Sequence, residues 1–493
     1  MEQELRRLPD GTYTGAMTDE HICGIFGCCG DWNRREVRIG ALTVYVYAID
    51  GITSGGDASE YVVKPLMQDA FGGTMDELYD RALHRTVYNS VAVPCGDLQS
   101  TAEKLVNGFT VVLFGQRAIA FETKTGEKRS PSAPEVENTV KGPKDAFTET
   151  VRTNTSLLRR HLRTPALRLY ETVVGRRSLT NVTLAWIDGL TEPALVQRMQ
   201  ARLAEIDIDG LLTPAAVEEY LTGSRPTAFP LLQYTERTDR FAQALLEGRV
   251  GLLVDGLPLG YLAPVDLGYL MTSAEDRGTD FVSASFLRVL RYAALLLGLL
   301  LPGLYVAMAA FHPQMLPTEL LQSILESKRA VPFPTIVEVL GLLAAFELLQ
   351  EASVSLPQSV GQSLSIIGGL VVGSAAVEAP DTHGNSANGA GAAIHMAGIC
   401  GFAIPGRSFA DALRVWRMAL AAAASLAGLF GLTLGAICLV VHLAGLDSFG
   451  ISYLAPFSGV GGARALLRPR LVREPLRDPL LRPLDRRNQG EKR

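Results

Sequence analysis

Hydrophobic and polar residues are distributed unevenly along this chain. A long region of mixed polarity precedes the segment Tyr292–Phe311, which contains no charged residue and follows Arg288 and Arg291. About 20 apolar residues, at 1.5 Å per residue, span the roughly 30 Å hydrocarbon core of a bilayer. The pattern therefore predicts a water-soluble region followed by a membrane region, and it disfavours a buried helix of a large globular protein.

Three further apolar segments follow, at about Val360–Val377, more weakly at Ala390–Pro405, and within Met418–Leu446. Together with the first they predict about four spans, because both flanks have the character of cytoplasmic sequence and an even number of crossings returns the chain to its starting side. Four crossings conflict with the tendency of basic residues to remain on the cytoplasmic side. The basic residues that they place in an outer loop are Arg407, Arg414 and Arg417.

The segment Ile336–Leu349 is apolar but too short to span, and we expect a re-entrant or interfacial helix there. By helical spacing Glu347 and Glu351 share a face, whereas Glu338 lies opposite Glu347. Carboxylates at membrane depth are costly and usually line an aqueous path or meet a polar partner. The three glutamates are therefore candidate pore or gating residues. The alternative is that their side chains lie in water at the level of the lipid headgroups.

The soluble region contains two similar halves. In each half an apolar run of strand length leads into IDGIT or IDGLT, and a helical pattern follows. Asp50 corresponds to Asp188 and Gly108 to Gly248, at offsets of 138 and 140 residues. Continuous apolar runs are typical of strands covered on both faces, and Asp-Gly is typical of the turn that ends a strand. The repeat predicts a duplicated α/β subdomain.

The chain is thus predicted to combine an α/β fold with a membrane α-helical domain. Because its first residues, MEQELRRLPDG, lack an apolar signal region, the N-terminal part is expected to remain in the cytoplasm. The predicted order is a disordered N-terminus (1–21), a first cytoplasmic α/β subdomain (22–128), a Pro- and Gly-rich linker (129–149), a second α/β subdomain (150–285), a polytopic transmembrane domain (286–457) and a basic disordered cytoplasmic tail (458–493).

Charge is also distributed unevenly. The formal net charge is −5, but residues 464–493 contain ten Lys or Arg against four acidic residues. A basic segment directly after the last apolar run fits a cytoplasmic tail that faces anionic membrane lipid, although most of these charges are expected to be solvated. No nucleic-acid partner is expected.

The sequence lacks the motifs of the common enzyme classes. It contains no P-loop, Rossmann glycine fingerprint or kinase motif. Asp381 and His383, followed by His395, faintly resemble the histidine region of subtilisin-like proteases, but no serine motif follows. The six cysteines lack paired metal-ligand spacing, so neither zinc nor structural disulfides are expected. The prediction is a protein that is not an enzyme and binds no cofactor.

Four segments of the chain closely resemble the A subunit of GerA-type spore germinant receptors: Gly142–Leu190, Phe229–Pro258, Arg288–Leu321 and Asp447–Phe457. The resemblance extends from about residue 20 to residue 460. It implies a protein of the inner spore membrane that acts with a permease-like B subunit, which senses the nutrient, and a lipoprotein C subunit. It also implies that the A subunit forms a homo-oligomeric, nutrient-gated ion channel. The alternatives are the related stage V sporulation membrane protein, which assists ion and dipicolinate release, and a membrane-anchored scaffold that conducts nothing.

The resemblance also identifies individual positions. Pro302 and His312 match family positions in the membrane half and join the three glutamates as candidate gating residues. The chain departs from the family at Pro380–Ala393, where polar residues replace a nearly continuous apolar segment. For the signature residues of the second subdomain we expect structural roles, namely buried arginine–carboxylate pairs and turns, rather than nutrient contact: Arg159, Arg160, Arg176, Arg177, Glu236, Arg237 and Asp255.

Overall fold

The computed structural model describes residues 4–8, 11–68, 73–125, 133–135, 137, 139, 141–223, 226–328, 333–355, 389–458, 466–468, 470 and 476–488. The chain forms two compact units. The α/β unit comprises Met1–Arg225, Leu232–Pro264 and Leu471–Arg493, and the helical unit comprises Pro226–Leu231 and Val265–Arg470. The predicted span at Val360–Val377 lies outside the described residues, as does most of the segment Pro380–Ala393.

The α/β unit contains two antiparallel five-stranded sheets and a short N-terminal hairpin. The hairpin consists of β1 (Arg6–Arg7) and β2 (Tyr13–Thr14). The strands of the first sheet are β3 (Trp32–Ile39), β4 (Leu42–Ile49), β5 (Ala92–Cys95), β6 (Phe109–Phe114) and β7 (Arg117–Glu122). The strands of the second sheet are β8 (Leu167–Val174), β9 (Thr180–Ile187), β10 (Gln233–Thr235), β11 (Val250–Val254) and β12 (Gly260–Ala263).

The two sheets have the same strand order. The first is β3-β4-β6-β7-β5 and the second is β8-β9-β11-β12-β10. The strands that lead into IDGIT and IDGLT, β4 and β9, therefore occupy equivalent second positions. The sequence repeat thus coincides with a repeat of topology.

Some helices of the α/β unit begin or end at a recognisable capping residue. Thr74 and Asp97 each open a helix with a reciprocal capping box, and Gly248, at φ +103°, ends another. The helices are α1 (Asp19–Phe26), α2 (Gly55–Asp57), α3 (Lys64–Gln68), α4 (Met75–Arg81), α5 (Leu98–Val106), α6 (Val151–His161), α7 (Pro193–Glu205), α8 (Pro214–Thr222) and α9 (Thr238–Glu247), with π-helical turns at Ala58–Val63 and Ala82–Thr86.

Helices cover both faces of the first sheet, as the apolar strand pattern predicts. Along β4, Tyr47 and Ile49 join the core beneath α1 and α5, whereas Val44 and Val46 join the core beneath α3 and α4. Successive strand residues point to opposite faces, so a strand buried on both sides must be apolar throughout.

The N-terminal residues were expected to be disordered, and for the described residues up to position 21 this is wrong. The backbone NH of Tyr13 donates to Oε1 of Gln99 at 2.9 Å, and Tyr13 and Met17 belong to the core of the first sheet. The burial of these two apolar side chains holds the segment in place.

The helical unit begins with two short helices and continues into long apolar ones. Asp280 caps the first long helix by accepting from the backbone NH groups of Val282 and Ser283. Its elements are α10 (Leu267–Leu270), α11 (Glu275–Gly278), α12 (Phe281–Val306), a π-helical turn (Ala307–Phe311), a 3₁₀ turn (Pro313–Met315), α13 (Thr318–Lys328), α14 (Thr335–Ser355), α15 (Gly389–Phe402), α16 (Arg407–Gly445), β13 (Asp447–Ser448), β14 (Ile451–Ser452) and α17 (Ala455–Ser458).

Among the described residues, two helical stretches are long and apolar enough to cross a membrane, Phe281–Phe311 and Arg407–Gly445. The first contains the predicted span Tyr292–Phe311 but begins eleven residues earlier, because Asp280 caps it there. The weak span at Ala390–Pro405 corresponds to α15, whose 14 residues would cover only about 21 Å. The short helix expected at Ile336–Leu349 is part of the 21-residue α14, which begins one residue earlier and continues six residues further.

Helix α16 is a hairpin rather than one straight helix. Ala427 (φ −137°, ψ 20°) and Gly428 (φ 60°, ψ −138°) leave the helical conformation. The rings of Trp416 and His442 lie 5.5 Å apart, although 26 residues of straight helix would separate them by about 39 Å. Residues 407–426 and 429–445 therefore form two antiparallel limbs. The stretch that contains the predicted span within Met418–Leu446 is therefore bent back on itself at Gly428, because a positive φ at glycine reverses the chain.

Part of the predicted disordered tail is folded. The backbone NH of Leu484 donates to the carbonyl of Leu190, and Nε of Arg477 donates to the carbonyl of Leu246, both at 2.9 Å. Asp478 caps the 3₁₀ turn Pro479–Leu481, in which Leu481 is buried. Residues 476–488 thus pack on the α/β unit, because leucines lie between the arginines that suggested disorder.

Candidate functional site: a polar junction of apolar helices

A carboxylate on α14 meets two arginines on the first limb of α16. Nη2 of Arg417 donates to Oε1 of Glu347, and Nε of Arg414 lies 3.7 Å from Oε2 of the same carboxylate. Nη1 of Arg417 donates to the carbonyl of Ala397 at 3.4 Å, so the cluster also contacts α15. Three helices therefore meet at one ion-paired group.

This junction is buried mainly on its arginine side. The side chain of Arg417 is 5% exposed and that of Glu347 is 24% exposed. Nε of Arg417 is buried without a hydrogen-bond partner among the described residues. An ion pair in apolar surroundings is held by mutual attraction, and loss of one partner leaves a costly unpaired charge. The junction can therefore act as a lock between α14 and α16.

The other two candidate glutamates have different surroundings. Glu338 is half-buried near the start of α14, and Glu351 is exposed near its end. Glu347 and Glu351 share a helical face, as their spacing predicts, but the contacts to Arg414 and Arg417 belong to Glu347. The structure places both arginines in a helix rather than in the outer loop that four crossings required, and Arg407 is the first residue of that helix.

Pro302 and His312 lie where the regular backbone of α12 is lost. Pro302 is buried within α12 and cannot donate the hydrogen bond to the carbonyl of Gly298. The π-helical turn follows at Ala307–Phe311, and His312 ends it at φ −130° and ψ 54°. A Cβ at Gly428 would lie 3.1 Å from Nε2 of His312. The irregular end of α12 therefore abuts the tip of the α16 hairpin.

The base of α12 is held by a second ionic cluster. Oδ2 of Asp276 accepts from Nε of Arg288 at 3.1 Å and from Nη1 of Arg291 at 2.8 Å, and the carboxylate is 1% exposed. Burial alone would raise the pKa of Asp276, but the two guanidinium groups hold it below its ordinary value. The arginines that mark the predicted start of the span are thus partners of a buried carboxylate within the helical unit.

The hairpin limbs also carry an aromatic cluster at their open end. His442 stacks obliquely on Trp416, and Phe229 lies 6.2 Å from His442. Nε2 of His442 is 3.0 Å from the Thr227 hydroxyl. Thr227 lies outside the hairpin, in the segment that precedes β10. The contact with His442 therefore anchors the second limb to that segment.

In the α/β unit, Arg159 forms a fully buried ion pair. Its Nε and Nη2 donate to the two oxygens of Asp31 at 2.7 and 2.9 Å, and Nη1 donates to the carbonyl of Leu167 at 3.2 Å. We expected the carboxylate partner of Arg159 to lie within the second subdomain. Asp31 instead directly precedes the first strand of the first sheet. The pair therefore joins the two sheets. Arg160, the next residue, is exposed.

Arg237 organises the described part of the linker. Nε and Nη2 donate to the Asp239 carboxylate at 3.0 and 2.9 Å, and the remaining donors reach Thr139 and the carbonyls of Glu137 and Pro143. The carboxylate of Glu236 accepts from the backbone NH of Glu135 at 2.8 Å. These signature residues hold the chain between the two subdomains against the second one.

The remaining signature residues lie at helix and strand ends. Oδ1 of Asp255 accepts from the backbone NH of Val151 at 2.9 Å, at the start of α6. Arg176 pairs with Asp207, and Nε of Arg177 lies 3.4 Å from Oδ2 of Asp209, both at the surface. Exposed pairs of this kind add little stability.

Asp145, His161 and Thr238 form a cluster that superficially resembles a catalytic triad. Nε2 of His161 is 2.6 Å from Oδ2 of Asp145 and 3.0 Å from the Thr238 hydroxyl. A relay needs the acid and the nucleophile on opposite ring nitrogens, and here both contact Nε2. Burial alone would raise the pKa of Asp145, but the hydrogen bonds from His161 and Thr238 lower it to about 2. The hydrogen bond to Asp145 in turn raises the pKa of His161. Within the described ranges, no group of three or more His, Cys, Asp or Glu side chains could hold a metal ion.

Three of these partners could not be found from the sequence. Arg417 and Arg414 were visible only as basic residues before an apolar run, and their partner precedes them by about 70 positions. Asp31 is 128 residues from Arg159 and stands in no recognisable motif. For Arg414 and Arg417, the only available signal was the presence of positive charges within or beside an apolar helix.

The chain is similar in sequence to known proteins over most of its length. The model of the Bacillus/Clostridium GerA spore germination protein family matches residues 20–484. The uncharacterized membrane protein YfkQ of Bacillus subtilis strain 168 is 35% identical over 434 residues, which are 87% of this chain and 83% of that protein. Spore germination protein KA of the same organism is 33% identical over 456 residues, covering 90% and 82%.

Spore germination protein A1 of Bacillus subtilis strain 168 is 32% identical over 426 residues, 86% of each chain. The crystal structure of the N-terminal domain of the A subunit of the Bacillus megaterium spore germinant receptor GerK3 is 26% identical, covers 54% of this chain and 97% of that chain, and has a TM-score of 0.39. The resemblance read from the sequence is confirmed. The chain belongs to the Bacillus/Clostridium GerA spore germination protein family, as a protein of the A-subunit type.

Proposed function

We propose that this chain is the A subunit of a nutrient germinant receptor in the inner spore membrane, and that it converts nutrient binding into ion release. It acts as a multi-pass protein whose α/β unit lies in the cytoplasm. Its partners are a permease-like B subunit, a lipoprotein C subunit and further copies of itself. Family membership supports the receptor role, and the geometry of the helical unit supports the transport role.

The observation that supports the proposal is that two helices lose their regular backbone at the place where they contact each other. The end of α12 and the tip of the α16 hairpin lose regular hydrogen bonding where they meet. Irregular backbone at membrane depth is tolerated where it is buried in protein or lines a water-filled cavity. Such a junction has alternative arrangements available, which a gate requires.

The second limb of α16 supplies a surface for lipid or for neighbouring subunits. Its outward side chains are large and apolar, and they are 50–71% exposed. Homo-oligomerisation would cover part of this stripe and bring several Glu347–Arg417 junctions around one axis. The exposed residues are Phe430, Leu434, Ile437, Val440 and Val441.

The α/β unit is proposed to transmit the signal on the cytoplasmic side. Its two sheets share strand order, turn motif and sequence offset, from which we infer that they arose by duplication. The buried Arg159–Asp31 pair links the two subdomains, and we expect them to move as one body. A duplicated unit offers two similar surfaces for contact with other subunits.

Ion flux through the purified full chain in liposomes tests the channel proposal. We expect potassium efflux that Glu347→Gln changes at least severalfold, because the substitution leaves two arginines without their carboxylate. Glu351→Gln on the same face is the matched control and should behave as wild type. Absence of flux from wild-type protein, with germination still dependent on the gene, would favour the non-conducting scaffold.

The stage V relative remains the other alternative within the family. It would assist release of ions and dipicolinate without answering to a nutrient. Spores that lack this gene would then form and load normally but show the same slow release with every nutrient.

A further inference from the structure

The turn that ends β9 is covered by a segment from the far end of the chain. The carbonyl of Leu190, within IDGLT, accepts from the backbone NH of Leu484 at 2.9 Å. A Cβ at Gly248, which ends α9, would lie 3.6 Å from Cβ of Pro483 and 4.0 Å from the carbonyl oxygen of Leu190. Residues 483 and 484 therefore lie where the turn after β9 and the end of α9 come together.

The first subdomain has the same arrangement, but its covering segment is local. The carbonyl of Ile52, which matches Leu190 in the sequence repeat, accepts from the backbone NH of Thr125 at 3.1 Å. A Cβ at the matching glycine, Gly108, would lie 2.7 Å from the carbonyl oxygen of Ile52 and 3.0 Å from Cγ of Lys124. The covering residues follow closely after β7. The first subdomain thus covers this place with its own continuing chain.

The second subdomain has no such continuation. Strand β12 has the position in the second sheet that β7 has in the first, but the chain after β12 enters the helical unit at Val265. The surface formed by Leu190, Leu246 and Gly248, here called the tail slot, is covered instead by residues 476–488. A segment that follows the helical unit therefore completes a subdomain that precedes it.

Residues 476–488 form a loop that closes on itself. Leu476 and Arg487 are paired in an antiparallel bridge, and Nη1 of Arg477 donates to Oδ2 of Asp485 at 2.9 Å. Nε of the same arginine donates to the carbonyl of Leu246 in the tail slot. A segment that is ordered by its own contacts loses less conformational entropy on docking than an open chain does.

The loop is attached to the tail slot by a small set of contacts. Leu481 and Pro483 are its buried side chains, whereas the side chain of Leu484 is 58% exposed. Arg482 lies 3.9 Å from Glu192 but is 72% exposed, so this ion pair adds little. An attachment of this size is typical of a docked peptide rather than of a core strand.

We propose that the tail slot is a docking surface for an extended segment, and that residues 476–488 occupy it as a detachable latch. The occupant must supply a backbone NH to the carbonyl of Leu190, a leucine in the place of Leu481 and a cation at the end of α9. The cation suits this place because the last carbonyls of a helix carry partial negative charge.

The chain before the latch is anchored on the helical unit. The backbone NH of Arg468 donates to the hydroxyl of Ser285 at 3.1 Å, and the guanidinium of Arg470 lies 4.3 Å from the centroid of the Phe281 ring. Both partners belong to the N-terminal part of α12. A rearrangement of α12 would therefore pull on the latch through the chain, a consequence that rests on the proposed coupling role.

The test cuts the tail after the full chain has folded in detergent. A site-specific protease sequence inserted between Arg470 and Leu476 allows the cut, and gel filtration removes the released fragment. Fluorescence anisotropy then measures binding of a labelled synthetic peptide of residues 476–488. If the cut protein binds the peptide with a Kd of about 10 µM, an attached latch at an effective concentration of about 1 mM should weaken apparent binding to the uncut protein about a hundredfold.

Two peptide variants separate docking from general charge attraction. The Leu481→Ser peptide has the same charge but lacks the buried leucine, and it should bind the cut protein at least tenfold more weakly. The Arg482→Gln peptide loses an exposed pair and should bind within about twofold of wild type. Equal binding of the Leu481→Ser peptide, or equal binding of the wild-type peptide to cut and uncut protein, would overturn the proposal. A fragment that remains on the cut protein and excludes the peptide would also overturn it, because the tail would then be a fixed part of the subdomain.

Amide hydrogen exchange on the uncut protein supplies a second readout that does not need the cut protein to stay folded. The backbone NH of Leu484 should exchange at least a hundredfold faster than the NH groups of β9, because the latch detaches without unfolding the sheet. Equal exchange rates would contradict a detachable latch. Neither experiment involves nutrient or ion flux, so failure here would leave the proposed receptor role untouched.

Discussion

The ion pair between Arg159 and Asp31 gives the sharpest stability prediction. Its side chains are 0% and 1% exposed, and two hydrogen bonds of 2.7 and 2.9 Å join them. Asp31→Asn keeps the shape of the side chain but leaves the Arg159 charge buried without its counterion. Removal of one member of a buried pair costs about 3–5 kcal/mol. For a domain of this size 1 kcal/mol corresponds to a Tm change of about 2–4 °C, so the α/β unit should melt about 6–20 °C lower.

Tryptophan fluorescence during thermal unfolding of the full chain in detergent measures this change. Trp32 is adjacent to Asp31 and stacks on Phe26 and Tyr47 at 5.0 and 5.2 Å, so its emission reports directly on the junction. Asp207→Asn, which breaks the exposed pair with Arg176, is the matched control and should melt as wild type. Adding Arg159→Met to Asp31→Asn should recover part of the loss. An Asp31→Asn protein that melts within about 2 °C of wild type would refute the reasoning.

Three further predictions concern other parts of the molecule. Gly428→Ala should destabilise the helical unit by about 1–2 kcal/mol, because a Cβ at φ +60° is strained and would lie 2.8 Å from that of Phe311, and thermal unfolding of the unit measures it. Leu481→Ser should release residues 476–488 from the α/β unit, seen as faster amide hydrogen exchange there. The His161–Asp145 pair should stabilise the α/β unit at pH below about 6.5 and lose that contribution as pH rises through the raised pKa of His161; urea titrations of wild type and His161→Gln should converge at high pH.

The sequence could predict those features that repeat or run continuously. The matching strand order of the two sheets lies where the motifs IDGIT and IDGLT recur, and α12 contains the apolar run Tyr292–Phe311. Both signals are local patterns of residue type, which reflect burial directly. The family resemblance rested on long motifs and was equally readable.

Features that depend on distant residues could not be predicted. The reversal at Gly428 looks like any glycine in a membrane helix until a positive φ and the facing residues Trp416 and His442 reveal it. The tail at 476–488 was judged by its arginines, although leucines between them decide its packing. Ion pairs such as Glu347–Arg417 need three-dimensional proximity, which charge patterns alone do not encode.

The central claim is that this chain couples nutrient to ion release in the spore. The most direct measurement is nutrient-triggered release of potassium and dipicolinate from spores that carry this gene and its neighbouring partner genes as their only receptor, compared with the same spores lacking the gene. The account predicts release that disappears on deletion and returns with the wild-type gene. Equal release from both strains, with the protein demonstrably present in the spore membrane of the first, would contradict it.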